Sequence, residues 1–377
     1  MTSPMIEDEI DAALDDVARK FAVSEYGFEE RYRLGAAARR FSADAWASLA
    51  EMGWFSVATP EDRDGLGLRM SSIAVLAEAA GAMFMNEPLS DTAFVGAYLL
   101  GALGSDAQQS NHFPELLGGS LRLATALEPP AWLPDAATPI TIDGQGLLNG
   151  MLPFVAGADI ADAILVRATD GVGGVQVHLV DSASAGVEIA RYPLADGRGA
   201  ARITLTGVAS ERLGDGSADA SVALDDALAI GALATAADSL GVMDRALQVT
   251  VEYLKTRVQF GRPIGTNQVL QHRAVDMYVY VAEARAVISA AVHAGPVGSA
   301  IFAHHVHAAK AIIDASARKV AHEMIQMHGG IGMADEHVAG QCLKRVMVNE
   351  QIYGRRRDHL RLFAAGVSDD LDMAGVR

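Results

Sequence analysis

Two short runs carry residues suited to holding an anion. The first is Lys255-Thr256-Arg257-Val258-Gln259-Phe260-Gly261-Arg262-Pro263-Ile264-Gly265, with Gln268 following. Arg257 and Gln259 fall where one helical pattern ends, and the turn through Gly261, Pro263 and Gly265 leads into the next. An arginine fork between two helix ends suits a pyrophosphate, and Phe260 can lie against an adenine or a ribose. The second run is Glu323-Met324-Ile325-Gln326-Met327-His328-Gly329-Gly330-Ile331-Gly332-Met333. Its clustered glycines let the backbone approach a ligand closely and form an anion-binding concavity. Taken singly, the first run reads more readily as a helical hairpin with a solvated basic tip. The second, taken singly, reads more readily as a helix C-cap and turn, with His328 ordering that turn.

Candidate proton-transfer groups are fewer. Asp238 stands alone among small and apolar residues in Ala236-Ala237-Asp238-Ser239-Leu240-Gly241. It is either a functional carboxylate or one paired with a partner such as Arg273. Glu350 and the run Arg355-Arg356-Arg357-Asp358 read as solvated helix residues, although the arginines can meet a phosphate. His304, His305 and His307 are too closely spaced for an i, i+4 pair from His304 and lack nearby acids, so no metal is expected.

The elements that must position these groups follow from texture. Up to about residue 120, apolar positions such as Ile6, Ile10, Leu14, Val17 and Phe21 recur at helical spacing. Ser42 is a plausible N-cap for a helix that Gly53 closes, and a longer helix is expected over about 71–84. From about 121 to 218, short β-branched runs at 164–166, 174–180 and 201–205 alternate with Gly, Asp and Ser clusters, which predicts antiparallel strands. From 219 onward the chain is helical again, with long helices near 222–256, 266–293 and 297–328 and further helix from about 336 to 366. The expected order is thus a helical domain over 1–120, a middle β-domain over 121–218 and a helical bundle over 219–377. No GxGxxG occurs in a strand-to-helix context, which excludes a Rossmann reading.

The bulk numbers narrow the classes. A formal net charge of −17 argues against nucleic acid, whose phosphates would be repelled. The single cysteine, Cys342, permits no intramolecular disulfide, and the acidic N-terminal run is unlike a signal peptide. The most apolar stretch, about 221–243, holds Asp225, Asp226 and Asp238, so it reads as a buried helix and not a membrane span. A cytoplasmic location is the expectation.

Together, the two glycine-bearing runs are far more specific than either alone. Arg-x-Gln-Phe-Gly-x-Pro-Ile, a following Gln, and then Gln-x-His-Gly-Gly-x-Gly resemble the acyl-CoA dehydrogenase family. The resemblance extends to Trp46 through Trp54, Thr59-Pro60-Glu61, the stretch from Gly65 to Leu68, Glu78-Ala79-Ala80-Gly81 and the run from Gly150 to Val166. It implies a helical domain, a β-barrel-like domain and a C-terminal four-helix bundle, in a dimer or tetramer with the FAD site shared between subunits. It also implies an acyl-CoA substrate and electron transfer to an electron-transfer flavoprotein. Arg257 would meet the pyrophosphate, Phe260 and Gln268 the adenosine part, and Gln326, Gly329 and Gly330 would contact it from the other side. Leu127, Phe154 and Ala156 fall where the family borders the flavin ring.

The chain departs from the family at the flavin face and at the base. Glu128-Pro129-Pro130-Ala131-Trp132 replaces a hydroxyl-bearing run, and Phe154-Val155-Ala156 replaces Trp-Ile-Thr. The two positions where the family carries its glutamate base read Gly354 and Gly231. Asp238, two helical turns beyond Gly231 on the same face, is a candidate substitute base, with Glu350 the lesser candidate. Three readings stand: a working dehydrogenase, a non-catalytic partner in a hetero-oligomer with a second dehydrogenase subunit, and an oxidase.

Overall fold

The computed structural model describes residues 9–36, 40–67, 69–127, 137–215 and 219–373. The elements in chain order are α1 (Glu9–Ser24), α2 (Phe28–Ala36), α3 (Ala43–Glu51), α4 (Met70–Met83), a π-helical stretch (Ser90–Gly96), α5 (Ala97–Leu103) and α6 (Asp106–Leu117). Strands β1 (Leu123–Ala126), β2 (Thr138–Ile142), β3 (Leu148–Ala156) and β4 (Ala163–Thr169) follow. Then come β5 (Val175–Asp181), β6 (Val187–Pro193), β7 (Gly199–Val208) and β8 (Glu211–Arg212). The chain continues with α7 (Ser221–Thr256), β9 (Val258–Gln259), β10 (Arg262–Pro263), α8 (Gln268–His293), α9 (Ala300–His328), α10 (Val338–Asn349) and α11 (Arg356–Met373). A mainly helical chain with a curled sheet in its middle segment is the fold class that the texture predicts.

The chain divides into two compact units, neither continuous in sequence. One comprises Met1–Tyr32, Ala74–Met85 and Ala232–Arg377; the other comprises Arg33–Ile73 and Asn86–Gly231. The second unit holds the sheet, in the order β6-β7-β3-β2-β4-β5-β8, with β1 added parallel to β4. Its neighbours are otherwise mostly antiparallel; β4 and β5 pair without a break from Ala163↔Asp181 to Thr169↔Val175, whereas β3 shifts register against both β2 and β7. One face packs a core of Ile140, Leu148, Leu152, Val155, Ile164, Val166, Ile203 and Leu205. In the same unit Ser42 caps α3 by accepting from the Ala45 amide, and Gly53 takes a positive φ of 75° just past its end.

The first unit is helical. Its long helices start and stop within about three residues of the expected limits, and α11 runs on past Gly366 to Met373. Helix α7 is long and apolar enough to cross a membrane by length and composition, yet 89% of its most apolar window is buried. It is the core helix its three aspartates suggest. Close approach of α4 to α7 depends on two glycines: a Cβ on Gly81 would stand 1.9 Å from the Asp238 carbonyl oxygen, and one on Gly241 1.9 Å from that of Glu78.

Candidate functional site

The Arg257 run is built as a small hairpin at the end of α7. The Arg257 amide closes the helix onto the Tyr253 carbonyl, and the Ile264 amide returns to the Arg257 carbonyl. Between them β9 and β10 pair Gln259 with Arg262 and Val258 with Pro263. The two residues at the tip, Phe260 and Gly261, have φ of 53° and 79°. Such paired positive values belong to a tight hairpin turn and are uncommon for a phenylalanine. Phe260 is 99% exposed, and Arg257, Gln259 and Gln268 are exposed as well. Among the described residues the Arg257 guanidinium has no hydrogen-bond or ion-pair partner, whereas Arg262 is tied to the Asn267 side chain at 3.0 Å. Gln268 opens α8, whose N-cap, Asn267, makes no side-chain capping bond, so the first turn of amides keeps its partial positive charge.

The glycine run is the C-terminal end of α9. Gly329 has φ +62°, and its amide turns back onto the Ile325 and Gln326 carbonyls, so that N–H is not the one offered to a ligand. A Cβ on Gly329 or Gly330 would meet nothing within 4 Å, while one on Gly332 would stand 2.8 Å from the Ile325 carbonyl oxygen. Packing therefore demands glycine at 332, the backbone turn demands it at 329, and neither demands it at 330. Exposed Gln326 lies one turn before Gly330. The two runs, some 70 residues apart in sequence, are joined through Tyr253: its ring stacks on His328 at 4.4 Å between centroids, and its hydroxyl donates to the His328 carbonyl at 3.4 Å. The structure thus brings Arg257, Gln259, Phe260, Gln268, Gln326, Gly329 and Gly330 to one end of the helical unit. Neither Tyr253 nor the His328 contact was singled out from sequence; the only local signal is that Tyr253 precedes Arg257 by one helical turn.

Leu127, Phe154 and Ala156 lie in the sheet-bearing unit. Leu127 is buried directly after β1. Phe154 and Ala156 are half-buried on one side of β3, while Val155 between them is buried in the core. The Glu128 to Trp132 run lies outside the described residues.

The carboxylates are engaged. Asp238 is buried, and Arg345 on α10 grips both its oxygens, Nε at 3.0 Å and Nη2 at 2.5 Å, while Asn349 donates to Oδ1 at 2.7 Å. The expected partner Arg273 is not the one used. Arg273, on α8, lies against α9 and there pairs with Glu323 at 2.6 and 3.0 Å, whereas α10 carries Arg345 over Asp238. Glu350 is gripped by both Nε (2.8 Å) and Nη2 of Arg318. Gly354 has φ +94°, and a Cβ there would stand 2.7 Å from Nε2 of His359. Gly231 is a buried helical residue of α7. Among the described residues no group of three or more His, Cys, Asp or Glu side chains is arranged to hold a metal. His307 instead shares a hydrogen bond with His359 (Nδ1 to Nδ1, 3.0 Å), and His304 packs on Phe363.

Residues 8–120 match the acyl-CoA dehydrogenase N-terminal domain, and residues 221–367 match the acyl-CoA dehydrogenase C-terminal domain. The acyl-CoA dehydrogenase IpdE2 of Mycobacterium tuberculosis is 32% identical over 327 residues, 86% of each chain. FadE27 of the same organism, also an acyl-CoA dehydrogenase, is 30% identical over 330 residues, 82% of this chain and 84% of that one. Among solved structures, the ChsE4-ChsE5 complex of Mycobacterium tuberculosis superposes with a TM-score of 0.87 at 25% identity, over 97% of this chain and 98% of that one. The Tcur3481-Tcur3483 steroid ACAD, solved as a variant, gives 0.85 at 28% identity over 97% and 99%.

Proposed function

The chain belongs to the acyl-CoA dehydrogenase family, and we propose that it works as one subunit of an FAD-dependent dehydrogenase acting on a CoA thioester. FAD, when bound, supplies the acceptor for the β-hydride, and electrons pass on to an electron-transfer flavoprotein. This chain's own part is the adenosine and pyrophosphate side of a flavin site that a neighbouring chain completes. The observation that carries the reading is the end of the helical unit where Arg257 and the Gly329-Gly330 turn are held together and left open. A guanidinium unpaired among the described residues, a first helical turn without a side-chain cap and two glycines with open space at the Cβ position fit a diphosphate. Exposed Phe260 fits a ring lying against it. On the sheet-bearing unit, Leu127, Phe154 and Ala156 would border the flavin itself.

A second, non-identical chain is proposed to supply the base. The reaction needs a carboxylate that can take a proton from the α-carbon. Both candidate acids, Asp238 and Glu350, have their oxygens held by arginine. Gly354 has neither the φ nor the room for a glutamate, because His359 occupies the space a side chain would need. Likeness to the ChsE4-ChsE5 complex and to the Tcur3481-Tcur3483 steroid ACAD supports a hetero-oligomer acting on bulky, steroid-derived CoA esters.

The test is the visible spectrum of the purified chain, alone and co-expressed with a base-carrying dehydrogenase chain, under anaerobic titration with acyl-CoAs. Substrate-dependent bleaching is expected only with the companion, and bleaching by this chain alone would return the base to it. Arg257→Ala is expected to weaken FAD affinity about tenfold or more, as loss of a charge-assisted phosphate contact implies. Unchanged affinity in that variant removes the pyrophosphate assignment.

A further inference from the structure

The rings of Tyr253 and His328 lie face to face, with centroids 4.4 Å apart and planes at 26°. Tyr253 is in the last turn of α7, four residues before Arg257; His328 ends α9, immediately before Gly329. His337, the N-cap of α10, packs against the same imidazole at 4.8 Å and 54°. The hydrogen bonds fix the imidazole's tautomer. Nδ1 lies 2.8 Å from the Met324 carbonyl, which can only accept, so Nδ1 carries the proton. Nε2 is then a bare lone pair, buried and without a partner among the described residues. Burial pushes this imidazole below the ordinary histidine range, so the ring is neutral at physiological pH.

A ring held in this way does little for its own helix. Its single hydrogen bond sets the ring plane, and that plane faces Tyr253. The Tyr253 hydroxyl adds a bond to the His328 carbonyl, the last carbonyl before the two glycines. Among the hydrogen bonds and ring contacts of the described residues, these are the ones that join the end of α7 to the glycine turn. We propose that the Tyr253–His328 stack is the positioning element that sets the Arg257 hairpin against the Gly329-Gly330 turn and so fixes the width of the diphosphate-binding end. The proposal rests on reading that end as flavin-binding. Tyr253 and His328 then act through Arg257 and the glycine turn and touch no ligand themselves. Aromatic rings at both positions are what the geometry requires; the hydroxyl and the imidazole nitrogens refine it.

The experiment compares Tyr253→Leu, Tyr253→Phe, His328→Leu and His328→Phe in the full chain, with its companion present where FAD binding requires it. Two readouts are taken at matched melting temperature: the FAD dissociation constant, and hydrogen exchange in peptides spanning 254–263 and 328–333. Each leucine variant is expected to speed exchange in both peptides and to weaken FAD roughly two- to tenfold, the worth of one aromatic pair. Each phenylalanine variant is expected to restore most of both. Exchange that quickens only in the peptide carrying the substitution overturns the coupling. So does leucine performing as well as phenylalanine. A wild-type chain that binds no FAD, with or without the companion, sinks the flavin reading instead, while the exchange comparison still decides whether the stack couples the two runs.

Discussion

At the residue scale Asp238 distinguishes a base from an anchor. Its carboxylate takes two bonds from Arg345 and one from Asn349, and Arg345 spends its remaining nitrogen, Nη1, on the Met85 carbonyl at 2.7 Å. Asn349 also bridges to Ser239 at 3.0 Å. The ion pair is nearly dry, with side chains 3% and 9% exposed. Removing one partner of such a pair leaves an uncompensated buried charge and costs about 3–5 kcal/mol. Asp238→Asn is therefore expected to lose a large share of the chain's stability in urea unfolding at neutral pH, while flavin bound per folded chain stays unchanged. A base would behave in the opposite way: stability kept, substrate-dependent bleaching lost in the co-expressed assembly. That second pattern would restore the catalytic role to Asp238.

At the element scale the glycines of this chain separate into those that packing requires and those it does not. Gly241 and Gly81 let α7 and α4 touch backbone to backbone, each lying against a carbonyl of the other helix. A carbonyl cannot swing aside as a side-chain tip can, so Gly241→Ala is expected to cost at least the ~1–3 kcal/mol typical of overpacking. Gly330→Ala meets open space and is expected to leave the melting temperature unchanged while weakening FAD binding. If both variants melted alike, the distinction between the crossing and the cradle would be lost. The same contrast explains what could be read from the sequence. The Arg257 and Gly329 runs were legible because their chemistry is local, within a dozen residues each, and α7, α8 and α9 were legible because apolar spacing repeats over many turns. The π-helical stretch Ser90–Gly96 was not, since seven residues are too few to establish a period. Nor were the pairings Asp238 with Arg345, 107 residues apart, and Tyr253 with His328, 75 apart, which only tertiary packing selects. Arg273 lies nearer to Asp238 in sequence, but α8 turns it toward Glu323.

At the scale of the whole molecule, each compact unit buries an imidazole that resists protonation. In the sheet-bearing unit His178 is 5% exposed, bonded to Ser210 and Gln176, and burial, with Arg212 nearby, lowers its pKa to about 4. In the helical unit His359 is 4% exposed and is likewise lowered to about 4, by burial first and then by the Lys310 ammonium. Its Nε2–H donates to the Tyr353 carbonyl, so a further proton would go to Nδ1 and disturb the contact with His307 Nδ1. The sign follows from linkage. Above about pH 6.5 both rings are neutral in the folded and unfolded chain, and their contribution to stability is complete. As pH falls from 6.5 toward 4 the unfolded chain takes up protons that the fold refuses, and stability drops by up to roughly 3 kcal/mol for each ring. Because the rings sit in different units and share no partner, their effects are expected to add. Acidification also protonates surface carboxylates and relieves the repulsion of a net charge of −17, which acts in the opposite direction. The two contributions separate in a comparison of urea unfolding at pH 7 and pH 4.5 for the wild type and for a chain carrying His178→Gln and His359→Gln together. The variant is expected to be less stable at pH 7 but to lose much less on acidification. An equal loss in both chains would mean that the buried imidazoles do not set the acid limit, and that the carboxylates held by arginine do.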